Sequence, residues 1–243
     1  MQKIKFLSGN ALKLIAALAM LVDHIGLIFF PRYSIFRIIG RLAFPIFAFM
    51  IAEGCRYTRN KLRYFLTMSG IATVCQIVYF IALKDTDLSV FVTFSVSILL
   101  VYLLQYVKKI FWSPLAPRTY KILIFVSFFA ALILTYAINL KVNMDYGFAG
   151  CVMPLFAALF HSDNDSPEFF KKLDNNTVHV LSTGVAMVYM AAVNRPVQYF
   201  SLFTIPMLLL YSGKRGKAKL KYFFYLFYPL HLAALYGIDI LLK

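Results

Sequence analysis

Residues 11–30 read ALKLIAALAMLVDHIGLIFF, an almost unbroken apolar run that holds Asp23 and His24 near its far end. About 20 apolar residues in a helix cross the hydrocarbon core of a bilayer, so this stretch reads as a membrane span. A charged group inside such a helix costs roughly 2.5–3.5 kcal/mol on insertion scales, and it is kept where it lines a protein interior or a polar cavity. Arg37 and Arg41 follow on the next apolar segment, and four residues of spacing put them on one helix face. The chain reads as a membrane protein with a polar site between its helices.

The remaining sequence agrees. Of 243 residues, 61% are hydrophobic, and the mean hydropathy is +0.75. Nine apolar windows lie at 11–30, 35–54, 62–83, 89–107, 119–139, 145–161, 176–193, 197–211 and 220–242. The windows at 145–161 and 197–211 are short and carry Pro154 and Pro206, so either could be re-entrant. The expected fold is all-α, a polytopic bundle of about nine transmembrane helices, with eight to ten as the range. A single integral-membrane domain over 1–243 is expected, because the longest polar stretch runs only from Ser162 to Asn176.

A net charge of +15 could suggest nucleic-acid binding, but the distribution argues against it. Eighteen of the 25 lysines and arginines fall in alternate loops: around Lys3, Lys5 and Lys13, Arg56 to Arg63, Lys108 to Lys121, Lys171 and Lys172, and Lys214 to Lys221. The positive-inside rule then places the N-terminus in the cytoplasm and the C-terminus outside. Ala17-Leu18-Ala19 resembles a signal-peptidase site but lies mid-run, so the first segment is expected to be a retained span.

Cys55, Cys75 and Cys151 form no CxxC pair and read as small apolar packing residues. His24, His161, His179 and His231 show no metal-ligand spacing, so no metal is expected. His161 and His179 flank the polar inner stretch and are expected to be solvated. His24 and His231 lie at membrane depth, as do Asp23, Arg37 and Arg41, with Glu53 at the inner end of its span. Asp23 sits about 100° round the helix from His24, so the two cannot point the same way; Asp23 is free to bridge to Arg37 or Arg41. Pro45 and Pro229 leave the carbonyls of Arg41 and Tyr225 without helical partners, beside candidate site residues. The basic stretches Arg56-Tyr57-Thr58-Arg59-Asn60-Lys61-Leu62-Arg63 and Gly213-Lys214-Arg215-Gly216-Lys217 are either topology signals or a phosphate-binding rim.

Several segments go beyond composition. Leu21-Val22-Asp23-His24-Ile25-Gly26 and Gly40-Arg41-Leu42-Ala43-Phe44-Pro45-Ile46-Phe47-Ala48-Phe49 resemble the TraX family, the F-pilin acetylation proteins and their bacterial relatives. Ala52-Glu53-Gly54-Cys55-Arg56-Tyr57-Thr58, Asp145-Tyr146-Gly147 and Tyr225-Leu226-Phe227-Tyr228-Pro229-Leu230-His231 fit the same pattern. The family is distantly similar to the wider transmembrane acyltransferases.

The resemblance implies an acetyltransferase of the bacterial inner membrane. It would move an acetyl group from cytoplasmic acetyl-CoA to an amine or hydroxyl acceptor on the outer side. The acceptor stays open among a peptide amine, an amino sugar, a polysaccharide and a small molecule. The implied catalytic set is His24, Asp23, Arg41 and His231, with either histidine as the base and transfer either direct or through an acetyl-enzyme. Arg37, Glu53, Arg56, Tyr57, Arg59, Lys214 and Arg215 are the implied acetyl-CoA contacts. Membrane lipid is the other expected partner; no nucleic acid and no metal are expected. The rival reading is a proton- or ion-coupled transporter, which would also use ionisable groups at membrane depth. No inverted repeat supports it: the Asp23-His24 and Gly40-Arg41 motifs have no counterpart after residue 120.

The topology is open to direct test. Alkaline phosphatase fused after residue 142 should be active, and fusions after residues 113 and 217 should be silent. An active fusion after residue 217 would reverse the assignment of the loop that holds Lys214 and Arg215.

Overall fold

The structure is a computed structural model that describes residues 5–32, 34–78, 80, 87–194 and 196–242. Lys3, Lys243 and part of the 62–83 window lie outside the described residues. In chain order the helices are α1 Gly9–Phe29, α2 Ser34–Gly40, α3 Ala43–Tyr57, α4 Lys61–Val78, α5 Val90–Trp112, α6 Arg118–Asn139 and α7 Gly147–Ala158. There follow α8 Glu168–Leu173, α9 Asn176–Val193, a 3-10 helix Pro196–Phe203, α10 Thr204–Leu209 and α11 Lys221–Leu242. No strand occurs among the described residues; Leu7 with Tyr211 and Leu88 with Met144 form isolated bridges. The protein is an all-α polytopic membrane protein.

Each of the nine windows carries helix, but they are unequal. Among the described residues, six helical stretches are long and apolar enough to cross a membrane: Gly9–Phe29, Ser34–Tyr57, Val90–Trp112, Arg118–Asn139, Asn176–Val193 and Tyr222–Leu242. Gly147–Ala158 and Pro196–Leu209 are apolar but shorter, as their prolines and lengths suggested. The second window is two helices rather than one kinked span. Arg41 N–H bonds back to the carbonyls of Arg37 and Ile38, and the chain turns at Arg41 and Leu42 before α3 begins. Pro45 thus lies in the first turn of α3, where a missing N–H costs no helical bond.

The chain divides into two compact units, residues 1–50 with 187–243, and residues 51–186. In the first, α1 packs on α2 and α11, and α2 packs on the 3-10 helix. The loop before α11 closes over the start of α1. Gly9 N–H bonds Lys214 O at 2.8 Å, Asn10 N–H bonds Arg215 O at 2.9 Å, and Ser8 caps Ala11 N–H at 3.2 Å. Three orphan donors of the helix N-terminus are thereby satisfied. Gly216 has φ +96°, and a Cβ there would press on the Ser8 hydroxyl and Asn10. The glycines of this loop let backbone approach backbone.

In the second unit, α5 packs against α4, α6 and α7. Its α7-facing stripe is small and polar: Ser97 Oγ donates to Thr93 O at 2.8 Å and across to Cys151 O at 2.9 Å, and Thr93 Oγ1 donates to Asp145 O at 2.9 Å. Thr93, Ser97 and Cys151 are fully buried. Small residues at a helix contact bring the backbones close, which is how helices associate where lipid offers no hydrophobic gain. The Asp145-Tyr146-Gly147 motif is structural here. Tyr146 and Gly147 are both left-handed, with φ near +60° (61° and 59°), and this turn aims α7 at α5. All three cysteines are free and buried, as expected of packing residues.

Cys151→Leu should destabilise the protein by about 1–3 kcal/mol through overpacking, and Ser97→Ala by about 0.6 kcal/mol. Unfolding of both variants in one detergent measures the two. Equal losses would mean that the hydrogen bond, rather than close approach, holds α5 to α7.

Candidate functional site

Asp23 and His24 leave α1 in different directions, and each meets its own partners. Asp23 faces α2. Its carboxylate accepts from Arg37 Nη1 at 2.7 Å and from Arg41 Nη2 at 3.0 and 3.3 Å. Arg41 also donates from Nε to Arg37 O at 3.2 Å and from Nη1 to Gln198 Oε1 at 3.2 Å. Gln198, on the 3-10 helix, is buried and touches Met190 through its amide nitrogen. The residue behind this contact is Gly40: a Cβ on it would overlap the Asp23 carboxylate. One carboxylate against two guanidinium groups leaves the cluster with an excess positive charge. Arg37 is the open member, its side chain 34% exposed against 10% for Arg41.

His24 faces α11. Its Nδ1 lies 2.9 Å from Met20 O and 3.1 Å from His231 Nε2, while His231 Nδ1 lies 2.7 Å from Phe227 O. A carbonyl only accepts, so the proton of neutral His231 sits on Nδ1. Its Nε2 then carries a lone pair and accepts from His24 Nδ1–H, which is shared with Met20 O. The network thus assigns His24 the Nδ1–H tautomer. His24 Nε2, with no hydrogen bond among the described residues, is the open lone pair of the pair. Phe227 stacks on His231 with centroids 4.9 Å apart, and Tyr228 meets both imidazoles edge-on. An apolar groove of about 390 Å³ is lined by Phe223, Leu226, Phe227, Leu230 and His231, all on α11.

The other residues singled out in the sequence are placed as follows. Lys214 and Arg215 are exposed on the loop that caps α1. In the second unit, Arg59 and Tyr57 are exposed, and the Arg56 guanidinium lies over the Tyr57 ring at 5.5 Å. Arg56 itself grips Asp174 with two hydrogen bonds of 2.7 Å each, and the same carboxylate accepts from Ser162 N at 3.1 Å and Oγ at 2.8 Å. Burial alone would raise the Asp174 pKa, but Arg56 and Ser162 outweigh it and hold the carboxyl below its ordinary value. Glu53 is buried, 3.5 Å from His161 Nε2.

Two expectations fail here. His161 and His179 are not solvated: they are 7% and 4% exposed, with ring centroids 4.6 Å apart. The polar stretch between them folds back as α8 and a turn, and Asp174 draws both ends inward. Gln198 and Asp174 went unremarked in the sequence. Asp174 sits in a run of polar residues, and Gln198 in a window read only for hydropathy, so neither carried a local signal.

Asp23→Asn would leave two arginines facing a neutral amide and should destabilise the protein by about 3–5 kcal/mol, the range for breaking a buried ion pair. Gly40→Ala should lose part of the same stability by displacing the carboxylate. Thermal unfolding at fixed lipid composition measures both; a Gly40→Ala variant as stable as the parent would mean the cluster tolerates displacement.

No solved structure matches the chain. A fimbrial assembly protein of Dichelobacter nodosus, described as probable FimC of serogroup H1, is 27% identical over 239 residues, covering 94% of each chain. An uncharacterised protein of Rickettsia prowazekii (strain Madrid E) is 52% identical over 40 residues, 16% of each chain. The family described as TraX protein matches residues 8–239, a span that takes in both histidines, the arginine clamp and all of α1 to α10. The chain belongs to the TraX family.

Proposed function

We propose that this chain is a membrane-embedded acetyltransferase of a bacterial inner membrane, using acetyl-CoA as donor and an amine or hydroxyl as acceptor. The observation that carries the reading is the His24–His231 contact at 3.1 Å, which leaves His24 Nε2 as an unprotonated base. A histidine has the right ordinary pKa for proton transfer near neutrality. His24 Nε2 takes the proton of the attacking N–H or O–H as the acceptor's lone pair forms a bond to the acetyl carbonyl carbon. The carbon–sulfur bond of acetyl-CoA then breaks, and the leaving thiolate takes a proton back from the histidine pair. While His24 is doubly protonated, His231 Nε2 shares its Nδ1 proton and spreads the charge over two rings.

The donor fits the first unit by charge and length. Lys214 and Arg215 offer exposed cations to phosphates at the start of α1, and no carboxylate ties them down among the described residues. His24 stands fifteen residues further along that helix, roughly 22 Å at 1.5 Å per residue, a span suited to an extended pantetheine arm. Arg56 is less available, because Asp174 already holds it. The excess positive charge of the Asp23 cluster, with Arg37 as its open member, is the proposed stabiliser of developing negative charge. The relative described as a fimbrial assembly protein supports an acceptor that belongs to such an assembly.

Calorimetry in nanodiscs tests the donor, with ATP as control, and release of free CoA thiol tests the chemistry. Saturable binding of acetyl-CoA but not ATP is expected. His24→Gln should slow thiol release by about 10²–10⁴-fold, the usual loss with a general base, and leave donor binding unchanged. Well-folded protein that ignores acetyl-CoA would sink this reading and bring the ion-coupled transporter forward.

A further inference from the structure

We propose that Glu53, His161 and His179 form a binding site for a divalent first-row transition cation, with Zn²⁺ the best match. The three side chains come from separate elements: the last turns of α3, the segment just after α7, and the first turn of α9. One ligand-type atom from each lies within 4.8 Å of the other two, and the residues are 6%, 7% and 4% exposed. Such a cluster could be no more than a buried hydrogen-bonded group, but the imidazoles are not satisfied that way. His161 Nδ1 and His179 Nε2 are buried without a hydrogen-bond partner among the described residues. His161 Nε2 meets Glu53 only at 3.5 Å, and His179 Nε2 lies 3.1 Å from Asp174 Oδ1 without forming a hydrogen bond. Buried ring nitrogens left unpaired are costly, and a metal ion returns that cost by taking their lone pairs.

The donor set selects the ion. Two imidazole nitrogens and one carboxylate suit zinc and its first-row neighbours, whereas magnesium and calcium want a full shell of oxygens. A tetrahedral site with bonds of 2.0–2.2 Å puts ligand atoms roughly 3.4 Å apart, so modest side-chain rotation closes the cluster onto an ion. Three protein ligands leave a fourth position for water or another small ligand. The groups around the cluster are themselves held in place. Asp174, beside His179, is locked by Arg56 at 2.7 Å and by Ser162. Lys108 Nζ donates to the carbonyls of Ala158 and His161 at 3.2 and 3.0 Å and so fixes the backbone that carries His161. The site uses no residue of the His24–His231 pair.

The test uses the full chain in nanodiscs, stripped with EDTA, then titrated with ZnCl₂ by calorimetry and with CoCl₂ by visible absorption. One Zn²⁺ per chain is expected, with the intense visible bands of four-coordinate Co²⁺. Outer-shell changes alone cost about 10–100-fold in affinity, so His161→Gln and His179→Gln should each lose more than about 100-fold. His231→Gln should bind as the parent does. Should a variant fail to fold, the parent's Co²⁺ titration decides by itself. Folded parent protein without those bands would overturn the site, and so would stoichiometric binding that survives both histidine substitutions, which would mark an adventitious ion only.

Discussion

The clamp of Arg37 and Arg41 on Asp23 is the interaction on which the first unit depends. A carboxylate at membrane depth is tolerable only when opposite charge and hydrogen bonds surround it. The chain meets that need by breaking its second apolar window: α2 stops at Gly40, the turn at Arg41 aims the guanidinium inward, and α3 restarts at Ala43. Gly40 gives the carboxylate its room, and Gln198 occupies another of the Arg41 donors. The break is therefore tied to the charge, with Pro45 fitting the restart rather than causing a kink.

Once Asp23 is clamped, the register of α1 is set, and His24 must face the other way. That rotation places it against α11, where His231 waits at 3.1 Å. The two rings are oriented by the same device: each bonds through Nδ1 to the carbonyl four residues earlier on its own helix, Met20 and Phe227. Ordered this way, His24 leaves its Nε2 open while its Nδ1 meets His231 Nε2. The loop of 212–218 serves the same helix from its start by satisfying its first amide groups. Positioning of the histidine thus rests on both ends of α1.

The second unit solves its polar problem differently. Asp174 binds Arg56 and Ser162 and lies against the buried His179, so two residues of the polar stretch join an arginine at the end of α3 and a histidine of α9 in one network. Read along the sequence, His161 and His179 border a hydrophilic loop, and solvation is the natural expectation. The fold reverses it because α8 turns that loop back over the helix ends. A hydrophilic segment says only that its own residues prefer water; it says nothing about what its flanks pack against.

The sequence by itself determined the all-α membrane architecture, the short and proline-bearing windows, and the roster of ionisable residues at depth. Hydropathy and charge act over one helix length, so they can be read locally. The 100° between Asp23 and His24 was legible for the same reason, and so was the chance that Asp23 bridges to an arginine. Only the tertiary structure decided that both arginines take it, that His24 meets His231, and that Gln198 and Asp174 hold the clusters together. It also decided that Glu53, His161 and His179 share one buried place. These contacts join residues far apart in the chain, and their geometry follows from helix rotation and packing, which no local pattern of apolar and polar residues encodes.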